Sequence, residues 1–242
     1  MQTGGDCPLD QVFEKMERLV IFRFSVLGHE FEIGNTIFIT WIIMAVIIVL
    51  ALVFTRKMSL SQPGKLQAIA ELLVETVTNI CKDSIGSYYK AYVPYIGTLM
   101  LYIGLANIIS VFNFIPGIEI FPPTKDINIT ASLALISILV VIYSGFRRKG
   151  FIGWVKSLAE PMPLMIPFKL MEYGTKPLSL CLRLFGNVVA GFIIMELLLS
   201  FAPFIGAPFS AYFDLFDGIL QAYIFIYLTS IYIGEAVESV EE

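Results

Sequence analysis

The residue with the greatest chemical consequence in this 242-residue chain is an arginine inside a long apolar segment. Arg183 lies in the sequence KPLSLCLRLFGN, residues 176–187, where leucines and a phenylalanine surround it. An arginine at the centre of a bilayer costs about 2.5–3.5 kcal/mol on insertion scales and normally faces protein or a water-filled cavity. The sequence therefore predicts a buried functional cation. The alternative is a structural arginine bonded to backbone carbonyls.

A helix through this segment would place small and polar residues on the same face as the arginine. At about 100° per residue, Ser179, Arg183, Asn187, Ala190 and Ile194 share one face. Small residues on a membrane helix let another helix approach closely. This face is therefore predicted to meet a partner helix.

Three carboxylates accompany the arginine at membrane depth. Glu196 points about 140° away from Arg183 on the same helix, so the two should not pair. Asp214, Asp217 and Gln221 are spaced three and four residues apart and share a face at one end of the last helix. This polar stripe is the pattern expected of an aqueous half-channel that enters from outside. The alternative is that the two aspartates only cap the start of the helix near the headgroups. No continuous polar line is found, which favours two partial pathways separated by the arginine.

The composition indicates that membrane helices must position these groups. Hydrophobic residues make up 57% of the chain and charged residues 15%, whereas a soluble domain has about 25% charged residues. A span needs about 20 mostly apolar residues. We predict apolar helices at Thr36–Phe54, Val93–Ile115, Ala131–Phe146, Met171–Phe201 and Phe209–Ile233.

The segment between the first two spans has a different pattern. Within Gln62–Ser87 the apolar residues recur every three and four positions between charged ones, which predicts an amphipathic helix. We expect it to lie at the membrane surface. Packing against a soluble partner is the alternative.

The basic residues predict an outside N-terminus and a cytoplasmic C-terminus, because cytoplasmic loops carry an excess of Lys and Arg. In that orientation most basic residues lie on the cytoplasmic side, namely Arg56, Lys57, Lys65, Lys82, Lys90, Arg147, Arg148, Lys149, Lys156, Lys169 and Lys176. Only Lys15, Arg18, Arg23 and Lys125 fall outside. We expect an external segment at 1–35, one membrane domain at 36–235 and an acidic cytoplasmic tail at 236–242.

Several functional classes are not expected from the sequence. The three cysteines have no paired or metal-like spacing, so no metal or cofactor is predicted. No basic run indicates nucleic acid, and no Gly-rich phosphate loop indicates nucleotide binding. The N-terminus lacks the apolar core of a signal peptide.

Five motifs resemble subunit a of the F-type ATP synthases, the membrane stator of a rotary enzyme. They are KPLSLCLRLFGN at 176–187, PGKLQ at 63–67 followed by Glu71, PTKDINIT at 123–130, LQAYIF at 220–225 and YIGE at 232–235. The resemblance runs from Thr36 to Glu235. It implies an all-α integral membrane protein with an upright first helix, an amphipathic surface helix, a helical hairpin and two long tilted helices that pack on the c-ring.

The resemblance also implies roles for particular residues. Arg183 would face the ion-binding carboxylates of the c-ring, with Asn187 and Gln221 lining the path beside it. Phe192 stands where many family members have a glutamate, and Asp214 where many have a histidine or glutamate. Asn113 falls where many relatives have an aspartate. Glu196 lies one turn beyond the phenylalanine and is a candidate to replace the missing carboxylate.

The implied function is transfer of an ion, not catalysis of bond formation by this chain. Two offset half-channels would load and unload the ring in the plasma membrane of a bacterium, with a plastid as the alternative. Besides the c-ring, the resemblance implies the peripheral-stalk b subunits and the remaining complex as partners. The proton is the expected ion and sodium is left open. The competing hypotheses are a stand-alone channel or transporter and a purely structural membrane scaffold.

Overall fold

The computed structural model describes residues 20–26, 29–56, 64–109, 122–159, 164, 166–201 and 203–238. Two strands come first, β1 at Val20–Val26 and β2 at His29–Gly34. Six helices follow: α1 at Asn35–Thr55, α2 at Lys65–Ile85, α3 at Val93–Ile108, α4 at Ile127–Ala159, α5 at Ile166–Phe201 and α6 at Pro203–Glu238. Short 3₁₀ turns occupy Gly86–Ala91 and Pro123–Lys125.

Apart from the two strands, the described chain is helical, and it is an integral membrane protein whose membrane domain is all-α, as the sequence predicts. Three helices within the described residues are long and apolar enough to cross a membrane, at Thr36–Thr55, Ile127–Trp154 and Leu215–Val237. A fourth is possible if Gln67–Ala91 and Val93–Ile108, which meet at a bend of 119°, form one broken span. The membrane placement of α5, and the upright and tilted orientations of the helices, stay predictions.

Helix α1 exposes apolar side chains on almost every side. Only Thr36, Ile39 and Ile43 are buried in it, and the two isoleucines pack near Ala106 of α3. A helix that is hydrophobic all round is either buried in a protein core or surrounded by lipid. Since this helix touches the chain along one narrow edge, lipid is the surrounding that its other sides require.

Helix α2 is amphipathic, with bounds close to the predicted Gln62–Ser87. Val77, Ile80 and Cys81 are buried on one face, while charged residues on the other face are exposed. The buried face packs on α6, where Gly234 permits the contact because a Cβ there would collide with the carbonyl oxygen of Ser84. Whether the exposed face lies at the membrane surface stays a prediction.

Helix α6 lies at the centre of the fold and packs against α2, α3, α4 and α5. Its residues Phe225, Ile226 and Ile233 are almost fully buried. The core cluster also contains Leu180 and Leu184 of α5, together with apolar residues of α2, α3 and α4. Because α5 and α6 share this core, the groups that they carry are held at fixed positions.

Helix α4 breaks at Gly150, whose φ of 67° is left-handed and favours glycine. The sequence predicts the end of a span at Phe146 and a surface connection over 150–167. Instead, helix resumes after the break, and Trp154 packs back on Gly145 and Phe146, with ring centroids 4.5 Å apart for the aromatic pair. The break therefore turns the end of α4 away from its main axis.

A β-hairpin precedes the membrane helices and was not predicted within the external segment 1–35. Strands β1 and β2 are antiparallel, with Phe24 opposite Phe31 and Arg23 opposite Glu32. The alternation in VIFRFSV and HEFEIG is the signal that could have revealed it. Since β2 ends at Gly34 and α1 begins at Asn35, no linker separates the hairpin from the first span.

Candidate functional site

Arg183 occupies the boundary between the packed and open sides of α5. Leu180 and Leu184, which are four residues apart, are buried against the core, and Cys181 is buried beside them. Arg183 itself is half-buried. Burial of the leucine stripe therefore fixes the rotation of α5 and turns the arginine away from the core.

The face that carries Arg183 is open in the isolated chain. Ser179, Asn187, Ala190 and Ile194 are all exposed on it. Gly186 flanks this face, and a Cβ added there would have no atom within 4 Å. The grouping predicted from the sequence is therefore present, and it leaves room for another helix.

The guanidinium of Arg183 is unpaired within the described residues. Within the part of the chain that the structure describes, no hydrogen bond or ion pair involves this guanidinium. Arginine carries five N–H donors and stays charged in proteins. An unpaired cation on an open helix face can bind an anionic group from outside the chain.

Asn187 and Gln221, both predicted site residues, meet across the contact between α5 and α6. The side-chain amide of Asn187 donates from Nδ2 to Oε1 of Gln221 over 2.9 Å. Gln221 is 1% exposed, and its Nε2 has no partner among the described atoms. We call this pair the amide link. It lies one helical turn beyond Arg183 along α5.

A second, charged link joins α5 and α6 on the other side of Arg183. The Nζ atom of Lys176 lies 2.6 Å from a carboxylate oxygen of Glu235 on α6 and 2.7 Å from one of Glu172 on α5. The same ammonium stands 4.9 Å from the ring centroid of Tyr232. We call the pair of Lys176 and Glu235 the charged link. From the sequence, Lys176 was counted among the basic residues that predict the orientation, and both residues stood in motifs of the family resemblance. No further role was predicted for either.

A cavity of about 280 Å³ adjoins the charged link. It is lined by Val141, Lys149, Ser157, Lys169, Glu172, Tyr173, Lys176, Tyr232, Glu235 and Ala236. Lys169 closes part of its wall by donating to the carbonyl oxygen of Ser157 over 2.6 Å. Water can therefore reach the charged end of the contact between α5 and α6.

Buried polar groups also occur beside Asp217, which is half-buried near the start of the span in α6. Its neighbour Gly218 approaches Asn107 of α3 so closely that a Cβ there would lie 2.9 Å from the asparagine Cβ. Thr124 donates from Oγ1 to Oδ1 of Asn107 over 2.6 Å, and both side chains are buried. The Nδ2 atom of Asn107 has no partner among the described atoms. In the sequence, Asn107 was only a polar interruption of the predicted apolar helix Val93–Ile115, and no role was predicted for it.

The remaining predicted residues are placed less completely. Glu196 and Asp214 lie within α5 and α6, but their side chains, like that of Phe192, fall outside the described set. Asn113 lies entirely outside the described residues. No group of three or more His, Cys, Asp or Glu side chains that could hold a metal occurs in the part of the chain that the structure describes.

Comparison with known proteins matches this chain to a family of membrane subunits. The family model described as ATP synthase A chain matches residues 37–234. One relative, described as "ATP synthase subunit a, sodium ion specific" from Propionigenium modestum, is 37% identical over 225 residues. The aligned region covers 88% of this chain and 77% of that relative.

Proposed function

This chain belongs to the ATP synthase A chain family, and we propose that its Arg183 is the fixed charge between two ion half-channels. Membership of the family makes the chain a non-catalytic, multi-pass membrane subunit of the ion-translocating Fo sector. Ion translocation through this sector is coupled to ATP synthesis, with the c-ring and the rest of the complex as partners. The finer assignments that follow are proposals.

The observation that carries the role of Arg183 is its unsatisfied charge on the open face of α5. A ring carboxylate that carries its ion is neutral and crosses lipid at little cost. When it meets Arg183, the opposite charge favours its ionised form, so the ion leaves into one half-channel. The carboxylate reloads from the other half-channel, and the positive charge of Arg183 opposes a direct leak of cations between the two.

The polar groups around Arg183 divide between the two paths. We propose that Asp217, Asp214 and Glu196 serve the outer half-channel, which the amides of Asn187 and Gln221 extend towards the arginine. Support comes from the amide link and from the half-buried position of Asp217. Ser179 lies exposed one turn from Arg183 on the other side. It is proposed to line the inner path.

The contribution of Glu196 is testable by a single exchange. Glu196→Gln removes the charge and keeps the shape, so we expect ATP-driven ion pumping to fall because the outer path loses an acidic group. Pumping is measured in inverted vesicles across a broad pH range. Full parental pumping at every pH would remove Glu196 from the path.

The ion itself is proposed to be the proton, with sodium as the second candidate. The relative from Propionigenium modestum is described as sodium ion specific, which is the observation that favours sodium. ATP-driven pumping decides between them when it is measured with and without added sodium. Pumping that requires sodium and resists a protonophore would overturn the proton assignment.

The orientation proposed from the basic residues places the N-terminus and residues 1–35 outside, and the C-terminal tail 236–242 in the cytoplasm of a bacterium. Lys125 ends the 3₁₀ turn that precedes α4, which this orientation places outside, whereas Arg148 lies towards the opposite, cytoplasmic end of α4. Cysteines at these two positions should therefore react from opposite sides of sealed vesicles. Labelling of both from the same side would contradict this orientation. The b subunits are proposed to contact the faces of the chain that the c-ring leaves free.

A cross-linking experiment tests whether the face of Arg183 meets the ring. Cysteine at Gly186, where the open face has space, should form a disulfide with cysteines placed along the outer helix of the c subunit. Cysteine at Leu135, which is 55% exposed on α4, is the matched control and should form none with the same partners. Equal cross-linking from both positions, or none from Gly186→Cys, would reject the proposed interface.

A further inference from the structure

We propose that Lys176 is a positioning residue for Arg183, acting through its ion pair with Glu235. The proposal rests on the proposed role of Arg183 and adds the means by which that guanidinium is held in place. Lys176 touches neither the ring nor the ion in this scheme. Its effect is to fix the separation of α5 and α6 beside the arginine.

The two residues lie on one face of α5. Lys176 precedes Arg183 by seven residues, which is about two turns, 10 Å along the axis and 20° around it. A shift of α5 against α6 at Lys176 is therefore passed to Arg183 along α5, which continues as one helix through Pro177. The distance of 2.6 Å between Lys176 Nζ and Glu235 joins the helices close to the inner side of the arginine.

The charged link is built differently from an ordinary surface ion pair. The Lys176 side chain is 14% exposed, and Glu235 is 50% exposed. The ring of Tyr232 stands beside the ammonium, so the lysine head is confined on more than one side. A flexible surface pair loses most of its benefit to side-chain entropy and screening, and confinement of one partner reduces both losses.

The carboxylate of Glu172 stabilises the ammonium without joining the helices. It lies four residues before Lys176 on the same helix, an arrangement that supports a helix locally. Glu235 alone connects Lys176 to α6. Exchange of Glu172 should therefore affect the charge balance of the site but leave the connection between helices in place.

The amide link completes the arrangement on the outer side of Arg183. Asn187 follows the arginine by four residues and bonds to Gln221 of α6. Between Gln221 and Glu235, the same face of α6 carries Phe225, Leu228 and Tyr232, and the ring of Tyr232 stands beside Lys176. Arg183 has no bond of its own within the described chain. Burial of Leu180 and Leu184 sets the rotation of α5, and the two links that flank the arginine hold α5 against α6.

The test separates positioning from stability in the assembled complex. Lys176→Met and Glu235→Gln should each lower ATP-driven ion pumping about tenfold per assembled subunit, the scale on which contacting residues couple. ATP hydrolysis and the amount of subunit in the membrane should stay at parental levels. The exchanged pair, Lys176→Glu with Glu235→Lys, should recover more than half of the pumping, because the attraction across the helices is restored.

Three matched variants serve as controls. Lys156→Met and Glu75→Gln remove exposed charges of the same kinds elsewhere, and Glu172→Gln removes only the partner within α5. All three should pump within about twofold of the parent, the range expected for surface exchanges.

Three results would overturn the proposal. The first is parental pumping in both single variants. The second is an exchanged pair that pumps no better than either single variant. The third is a loss of subunit from the membrane in proportion to the loss of pumping. Arg183→Ala separates this proposal from the broader one. If that variant is inactive while the Lys176 variants are normal, only the positioning role fails. If Arg183→Ala is active, the proposed function of the arginine fails first.

Discussion

The two links both hold α5 against α6, one through neutral amides and the other through charged groups. C-terminal to Arg183 on α5, Asn187 and Gln221 join the helices through neutral amides, and Gln221 is 1% exposed. N-terminal to it, Lys176 and Glu235 join them through full charges, one of which is 50% exposed. Both links lie within two turns of the arginine along α5.

We propose that the difference follows from the depth of each link in the membrane. A charge at membrane depth is costly, so an ion pair close to Arg183 would add a second desolvation cost. Amides hold the helices together there at lower cost and leave the arginine as the dominant charge. The charged link borders a cavity of about 280 Å³, where water lowers the cost of ionisation. On this proposal, the depth of each link determines its chemistry.

The largest effect is expected at the residue between the links. Arg183→Lys keeps a positive charge but loses the planar head with its several donors. We expect ATP synthesis to fall by more than about tenfold, because one charge-assisted hydrogen bond is worth about 1.5–3 kcal/mol. Synthesis is measured in energised vesicles at matched amounts of complex. Parental synthesis would mean that charge alone suffices and that the geometry set by the two links has no function.

The amide link should be the next most sensitive. Gln221→Leu removes the hydrogen bond that joins Asn187 to α6, and such a bond is worth about 0.5–1.5 kcal/mol. Pumping should fall about tenfold, since 1.4 kcal/mol is a factor of ten. The deficit should be the same at low and high salt, whereas any deficit of Lys176→Met should shrink at high salt because exposed charges are screened. Equal salt responses would contradict the chemical distinction between the links.

The smallest effect is expected at the hydrogen bond that joins the 3₁₀ turn at Pro123–Lys125 to α3. Thr124→Val removes the donor to Asn107 and should lower stability by about 1–3 kcal/mol, the cost of leaving a buried polar group unsatisfied. Pumping at moderate temperature should stay within twofold of the parent. Thermal denaturation of the purified complex measures the change. Thr98→Val is the control, because Thr98 is exposed and bonds only to the carbonyl of Tyr95 in its own helix. Equal melting of the two variants would show that the buried bond contributes nothing.

The sequence predicted the features that depend on local periodicity. Spacing of apolar residues located α1, α2, α3 and most of α5 and α6, and helical geometry identified the open face of Arg183, Asn187 and Ser179. These predictions succeed because an α-helix converts sequence spacing directly into direction. The resemblance to a known family then supplied the expected proximity of Asn187 and Gln221, which the hydrogen bond between them matches.

The features that the sequence did not predict depend on contacts between distant segments. The bond between Thr124 and Asn107 joins a loop to a helix that precedes it by 17 residues, and no periodic pattern specifies such a pair. The charged link likewise joins residues 59 positions apart. The sequence predicted a span end at the basic residues 147–149 and, from the prolines at 161, 163 and 167, a surface connection, so it did not indicate the helix that resumes after Gly150. Tertiary packing of Trp154 on Gly145 decides that region instead.

The measurement that tests the role of Arg183 most directly combines ATP synthesis with passive ion flux in the Arg183→Ala variant. A midspan arginine is costly, so alanine should insert and assemble at least as well as the parent. We predict that intact vesicles make no ATP, while vesicles stripped of the catalytic head leak ions faster than parental ones, because the barrier between the half-channels is gone. ATP synthesis near the parental rate, with no added leak, would contradict the role of Arg183 as the charge that separates them.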